Sequence, residues 1–281
     1  MGGGQIYVSF SGGKDSTVLL HLTREMYPDI PAVFLDTGLE YPEVRDFALS
    51  QSNVVVLKPD MNFRKVIETR GYPIVSKEVA FKIGLARRGF KTGILAMQGL
   101  DKDGNVSQFR KRNLKWAYLV DAPFPVSSDC CDVMKKHPAA RYETESGRKP
   151  MIATMAEESQ LRQMKWKQGG CNLYDVRRPV SKPLSVWTEQ DVLEYLVRFN
   201  LPYASIYGDI VRGDDGKLHT TGCHRTGCVF CGFGCQNEKE PNRFQRLKET
   251  HPKLYEYCMR DWDKGGLGMS NVLDYINVPY Q

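Results

Sequence analysis

The sequence predicts an α/β protein: a doubly wound, mostly parallel sheet followed by a helical, cysteine-containing C-terminal region. Three observations predict it. Short β-branched or apolar runs at 5–10, 32–36 and 54–57 are each followed by a helical pattern. A glycine-rich break, Ser11-Gly12-Gly13-Lys14-Asp15, separates the first strand from the first helix. Four cysteines crowd between Cys223 and Cys235. Strands that alternate with helices are covered on both faces, which favours parallel pairing.

The elements follow in order. Gln5 to Phe10 reads as a buried strand, and Ser16 to Met26 as a helix with Val18, Leu19, Leu22 and Met26 on one side. Ala32 to Asp36 is a second strand. Pro42 opens a helix carrying Val44, Phe47 and Ala48, because proline lacks only an amide that the first turn leaves unpaired anyway. Val54 to Leu57 is a third strand, and Phe63–Thr69 and Lys77–Arg88 are helical. Lys91 to Arg148 is polar and helical, with little strand signal. Met151 to Met155 reads as a fourth strand, followed by a helix from Glu157 to Lys167. Thr188, with Asp191 three residues on, has the form of a capping box. Asp209 to Thr221 reads as a glycine-rich loop, Asn242 to Trp262 as helix interrupted at Pro252, and Asn271 to Ile276 as a last short helix. The division expected is a nucleotide-binding α/β domain over 1–200 and a cysteine-rich helical extension over 201–281.

Composition excludes several classes. A chain of 281 residues that is 41% hydrophobic and 11% aromatic is too apolar for a disordered protein and long enough for a sizeable core. It has no apolar run of membrane-spanning length. Met1 to Gln5 lacks the basic-then-apolar layout of a secretory leader. A cytoplasmic protein with reduced thiols is therefore expected. The net charge of +6 fits an anionic substrate such as a nucleotide. Arg110, Lys111, Arg112 and Lys115, beside Trp116 and Tyr118, form a basic run that reads either as a solvated helix face or as a nucleic-acid surface.

Ser11-Gly12-Gly13-Lys14-Asp15-Ser16, between strand and helix, is an anion cradle. Glycines allow the turn, the opening amides of the helix face an anion, Lys14 adds charge, and Ser11, Ser16 and Thr17 add hydroxyls. Asp15 suits magnesium or the helix start. The run has neither the Walker nor the dinucleotide-fold spacing. It resembles the PP-loop, Ser-Gly-Gly-x-Asp-Ser, of the adenine-nucleotide alpha hydrolase (ATP pyrophosphatase) superfamily. Leu35-Asp36-Thr37-Gly38 with Tyr41-Pro42-Glu43 resembles the Asp-Thr-Gly…Phe-Pro-Glu block of the phosphoadenosine phosphosulfate (PAPS) reductase family in that superfamily. Met155 to Arg162 resembles its Arg-x-x-Glu-Ser-x-x-Arg block, with Met155 in the place of an arginine, and Lys182-Pro183-Leu184 to Leu193 resembles the block that follows.

The resemblance covers roughly residues 5 to 235. It implies an adenine nucleotide held by Ser11, Gly12, Gly13, Lys14, Asp15, Ser16 and Thr17, by Asp36, Thr37 and Gly38, and by Glu158, Ser159 and Arg162. Cys130-Cys131 with Cys228-x-x-Cys231 resembles the pattern that holds a 4Fe–4S cluster in adenylyl sulfate reductases. Cys223, Cys228, Cys231 and Cys235 offer a local metal site as the competing assignment. Cys171 reads either as a sulfur-relay residue or as a buried loop thiol, and Cys258 as core.

Sulfonucleotide reductases carry a nucleophilic cysteine in a Glu-Cys-Gly-Leu-His tail, and the final residues here, Asp274 to Gln281, contain no cysteine. The loop also has the Lys-Asp form of the ATP-hydrolysing branch. The leading expectation is thus an ATP pyrophosphatase and sulfurtransferase that uses ATP, Mg²⁺ and a 4Fe–4S cluster. Lys14, Asp15 and Cys171 are its catalytic candidates, and DNA phosphorothioation or tRNA thiolation its acceptor chemistry. A cysteine desulfurase as sulfur donor and a homodimeric state complete the expectation. The alternatives are a sulfonucleotide (APS/PAPS) reductase and a non-catalytic nucleotide-binding subunit.

Overall fold

A computed structural model describes residues 5–174 and 177–281. The reading of Met1 to Gly4 as a leaderless start lies outside the described residues. In chain order the elements are β1 (Ile6–Ser9), α1 (Lys14–Met26), β2 (Ala32–Leu35), α2 (Pro42–Ser50), β3 (Val54–Leu57), α3 (Phe63–Arg70), β4 (Ile74–Val75), α4 (Lys77–Arg87) and α5 (Lys91–Met97). There follow α6 (Gln108–Lys111), α7 (His137–Ser146), β5 (Lys149–Met151), α8 (Gln160–Gly169), β6 (Asn172–Leu173), β7 (Val180–Ser181) and α9 (Glu189–Arg198). The chain ends with β8 (Ile210–Arg212), β9 (Leu218–Thr220), β10 (Gly232–Phe233), α10 (Arg243–Thr250), α11 (Pro252–Met259) and α12 (Met269–Tyr275). No helix among the described residues is long and apolar enough to cross a membrane.

The chain forms two compact units, each made of two stretches: 1–59 with 135–227, and 60–134 with 228–281. The sequence reading divided it once, after residue 200.

The first unit is the expected α/β layer structure. Its sheet has the order β3-β2-β1-β5-β7-β6, parallel throughout except for the β6–β7 pair. Ile6, Val8 and Phe10, with Val18 and Leu19 of α1 and Val192 and Leu196 of α9, fill one buried core. The chain winds outward from β1 through β2 to β3, then returns to place β5 on the other side of β1. The order therefore reverses at β1, and in such sheets the crevice beyond the strand ends at the reversal is where ligands bind. The loop Ser11–Gly13 leaves β1 at that point. Below the sheet, the Tyr7 hydroxyl donates to Oε1 of buried Glu143 at 2.7 Å, and Arg178 donates to both oxygens of the same carboxylate. That network satisfies a charge that burial alone would make costly.

The second unit pairs β4 with β10 in parallel. It ties its two stretches together through Tyr72, whose hydroxyl donates to the Leu267 carbonyl at 2.7 Å, and Arg64, whose guanidinium donates to the Trp262 carbonyl at 2.7 Å.

Several local expectations need correction. Met26 is 66% exposed and does not share the buried face of α1. The fourth strand runs over Lys149–Met151, earlier than 151–155, and Met155 packs in the core instead. The helix expected from Glu157 is a short 3₁₀ turn, Ala156–Glu158, followed by α8. The break falls at Ser159, whose extended backbone and hydroxyl cap α8 by accepting from the Arg162 amide. Residues 209–221 are not loop throughout: β8 and β9 form a hairpin there, with Val211 opposite His219. The strands β4, β6, β7 and β10 are two residues each, too short to show a period-two pattern.

Candidate active site

Gly12 has φ +73, and a Cβ there would lie 2.6 Å from the Val44 carbonyl oxygen, so only glycine lets the chain pass against α2. Gly13 is the N-cap of α1 and offers no side-chain cap of its own. The amides of Asp15 and Ser16 in the first turn have no intrahelical acceptor. The hydroxyls hold the loop shape. Ser16 Oγ donates to the Gly13 carbonyl at 2.9 Å and Thr17 Oγ1 to the same oxygen at 3.1 Å. Ser11 and Ser16 meet at 3.0 Å. The Tyr207 hydroxyl accepts weakly from the Lys14 amide at 3.4 Å and shares a hydrogen bond with Thr226 at 2.9 Å, closing the far side of the turn.

Lys14 is 3% exposed. Its ammonium lies 3.1 Å from Asp15 and 3.0 Å from Glu189 at the start of α9. Burial pulls its pKa down, but the two carboxylates outweigh it and hold the group above its usual value. Lys14 is therefore a fixed cation at the loop. His224 stands 3.4 Å from the second oxygen of Glu189. Glu157, Glu189, His219 and His224 line a cavity of about 350 Å³ on this side.

Glu158 gathers two guanidiniums, Arg162 through a short contact and Arg225 at 3.3 Å, and also accepts from the Met155 amide. Burial lowers the Arg162 pKa, Arg225 lowers it further, and the field of Asp15 raises it. Arg162, Arg225 and the loop are thus electrically coupled. The side chain of Met155 is in the core, so the second guanidinium beside Glu158 comes from Arg225 and not from position 155.

Asp36 follows β2 directly and is held by Arg45 through two hydrogen bonds, 3.0 and 2.9 Å. Thr37 donates from its amide and hydroxyl to Glu40, and Gly38 turns with φ +71 into open space. A cavity of about 180 Å³ lies at these strand ends, lined among others by Phe10, Val33, Phe34, Ser11, Glu40 and Thr226.

The structure brings Ser11 to Thr17 together with Glu158 and Arg162, and places Asp36 to Gly38 beside the same strand ends. Cys171 lies in the loop before β6, where its carbonyl accepts from Lys182 at 2.8 Å. No hydrogen bond or ion pair joins it to the glycine loop among the described residues. Glu189, Tyr207, Arg225 and Thr226 escaped the sequence reading. Glu189 stood inside a capping box and seemed explained by it. Arg225 and Thr226 adjoin cysteines that drew the attention.

No disulfide joins any of the eight cysteines. Cys130, Cys131, Cys228 and Cys231 belong to the second unit. Cys130 and Cys131 open a helical turn that continues as Asp132–Lys136, and the Cys231 amide donates to the Cys228 carbonyl at 3.1 Å. Burial raises the Cys231 thiol, Arg243 opposes that rise, and Cys131 adds to it. Among the described residues, no three His, Cys, Asp or Glu side chains converge closely enough for a single metal ion. Cys223 donates to the Arg225 carbonyl, and Cys235 is buried against Gly232 with its thiol pushed up to about 11. Cys258 is fully buried, as expected, and burial raises its thiol strongly.

Fold and loop define a class: an α/β protein with a glycine loop of phosphate-binding form at the reversal of a parallel sheet. Residues 5–79 match the phosphoadenosine phosphosulfate reductase domain. An uncharacterized protein of Methanocaldococcus jannaschii is 41% identical over 255 residues, 89% of this chain and 46% of the relative. A PAPS reductase of Xanthomonas euvesicatoria is 26% identical over 218 residues, 76% of this chain and 70% of that one. A solved PAPS reductase of Candida auris, in complex with phosphate, aligns with a TM-score of 0.41 at 14% identity, over 79% of this chain and 83% of that one. These matches support a place for the chain in the PAPS reductase family of the PP-loop superfamily. It spans less than half the length of the Methanocaldococcus relative.

Two outcomes follow. Gly12→Ala forces a Cβ against backbone and is expected to weaken nucleotide binding at least tenfold while circular dichroism stays unchanged; calorimetric titration measures it, and wild-type affinity would remove the cradle. Iodoacetamide at neutral pH is expected to modify Cys171 and Cys223 before Cys235, read by mass spectrometry. Cys235 keeps its proton to about 11 in the fold, whereas a free thiol loses it near about 8.5. The folded state therefore binds more protons between these values, and the stability contribution is lost as pH rises through that window.

Proposed function

We propose that this protein binds ATP through Ser11–Thr17 and cleaves it at the α-phosphate, activating an acceptor for sulfur incorporation, with nucleic acid as the acceptor class. One observation carries the reading: a buried, charge-paired ammonium, Lys14, stands at the opening turn of a helix whose first amides face outward from the sheet reversal. That combination suits a polyphosphate that must also be able to leave.

The chain's own groups divide the work. Loop amides and Lys14 hold the β- and γ-phosphates. Arg162 and Arg225 meet the α-phosphate, where negative charge builds as an acceptor oxygen attacks phosphorus. The bond from α-phosphorus to the bridging oxygen breaks, and pyrophosphate leaves on the loop. The cavity at the ends of β1 and β2, with its apolar and polar lining, suits the nucleoside. Sulfur at the hydrosulfide level then displaces AMP from the adenylated acceptor, with no net redox change. Asp15 would hold Mg²⁺, which neutralises phosphate charge when bound.

The thiols of Cys130, Cys131, Cys228 and Cys231 have the soft donor chemistry of a 4Fe–4S cluster. A cubane spreads its ligands over four irons, so they need not converge on one point. When bound, such a cluster would supply an electron-transfer centre.

The Xanthomonas relative favours a second reading, reduction of a sulfonucleotide. Burial of Cys258 makes it an unsuitable nucleophile, which leaves Cys171 for that role. A non-catalytic nucleotide-binding subunit would use the same loop without turnover.

Incubation with magnesium-ATP and single-stranded acceptors is expected to release pyrophosphate. Lys14→Ala should lower kcat/KM at least about 100-fold, or about 2.7 kcal/mol. Absence of pyrophosphate with every acceptor, or sulfite from PAPS with a dithiol reductant, would replace this reading by one of the others. Anaerobic purification is expected to give a brown protein with iron and sulfide near about four each. A colourless, iron-free product, or full iron retained in Cys131→Ser/Cys231→Ser, would remove the cluster.

A further inference from the structure

We infer that the second unit carries a binding platform for single-stranded nucleic acid on the block formed by α4, α5 and residues 106–118. The inference goes beyond the adenylation chemistry and depends on none of its steps.

Charge is the first observation. Residues 77–118 contain ten Lys or Arg against three Asp or Glu, which exceeds the excess of the whole chain and leaves the remaining sequence slightly acidic. Among the described residues, Arg112 is the one of these ten with an ion pair, to Glu78 at 3.0 Å. Arg87 instead braces the block from within, donating to the Ala122 and Phe124 carbonyls at 2.9 and 3.0 Å, and Arg110 donates to the Leu100 carbonyl at 2.6 Å. Lys82, Lys91, Lys111 and Lys115 are left to face an anion outside the chain.

Exposed rings are the second. Phe81, Phe90, Phe109 and Tyr118 are 45%, 53%, 58% and 40% exposed. Each of four rings is matched with a cation: Lys82 with Phe81, Arg88 with Phe90, Arg112 with Phe109 at 3.6 Å, and Lys115 with Trp116 at 5.1 Å. A protein interface is depleted of lysine at its centre, so this interleaving suits one poorly. A duplex offers phosphates but keeps its base faces stacked. Cations beside open aromatic faces match a strand whose phosphates and unpaired bases are both available.

The test uses the full chain and a fluorescein-labelled single strand of about twenty nucleotides, as DNA and as RNA, followed by anisotropy against salt. The single strand is expected to bind more tightly than the matching duplex. Lys111→Glu/Lys115→Glu should weaken it tenfold or more and flatten the log–log salt slope by roughly 1.4, about 0.7 per lost phosphate. Phe109→Ala should weaken it about tenfold with the slope unchanged. Circular dichroism and the thermal midpoint check that each variant is folded. No binding, duplex affinity equal to single-strand affinity with Phe109→Ala inert, or preference for a polyglutamate chain overturns the inference; the last would make the partner an acidic protein. Pyrophosphate release plays no part in the readout, so the platform and the adenylation reading can fail separately.

Discussion

A lysine ammonium that is almost fully buried must be matched by carboxylates, and in this protein the match is built from Asp15 on its own helix and Glu189 on another. That requirement ties α1 to α9 and fixes where the helix begins. Because Lys14 is pinned, the first-turn amides are pinned as well, and the glycine loop has one shape instead of many. Tyr207 and Thr226 complete the enclosure from a part of the chain about two hundred residues away in sequence. The loop is thus not a local motif that works alone. Its geometry is a property of the whole first unit.

The same constraint explains the placement of the other charged groups. Lys14, Arg162 and Arg225 are balanced by Asp15, Glu189 and Glu158, three against three. The site has no net charge to offer an anion. Its affinity must come from oriented amides and from guanidiniums that can exchange a carboxylate for a phosphate. Such exchange costs less than exposing a bare cation, because a partner is present before and after. Asp36, held by two hydrogen bonds from Arg45, follows the same rule at the neighbouring strand end.

Much of this was legible in the sequence, for identifiable reasons. β1, β2 and β3 are four residues each and apolar except for Ser9, and α2 opens on Pro42, so period and capping chemistry sufficed. The glycine loop was legible because its residue types are demanded by one conformation: position 12 leaves no room for a Cβ. What failed was long-range or too short. The strands β4 and β10 exist only because they pair with each other across more than 150 positions. Met155 departs from its family block because it is a core residue, and its electrostatic replacement, Arg225, is seventy positions away. A capping box explained Thr188 and Asp191 fully, and so concealed Glu189 between them. Within the second unit, the cysteine pairs were recognisable by spacing, but the burial that raises the Cys231 thiol is a property of the fold.

The separation of charge within the chain has a consequence for reading composition. A net charge of +6 looks like the footprint of a nucleotide site. Yet the glycine-loop site is balanced, and the excess lies in residues 77–118 of the second unit, where Lys82 and Lys115 lie beside rings and carboxylates are few. If a phosphate loop were the reason for the excess, the cations would cluster around it and lose their own partners on folding. Instead Lys14, Arg162 and Arg225 are paired at the site, whereas among the described residues Arg112 is the one cation of residues 77–118 with an ion pair. Unpaired surface lysines give little stability to the fold itself. Their concentration on one block is therefore better explained by something the block meets than by anything it holds together.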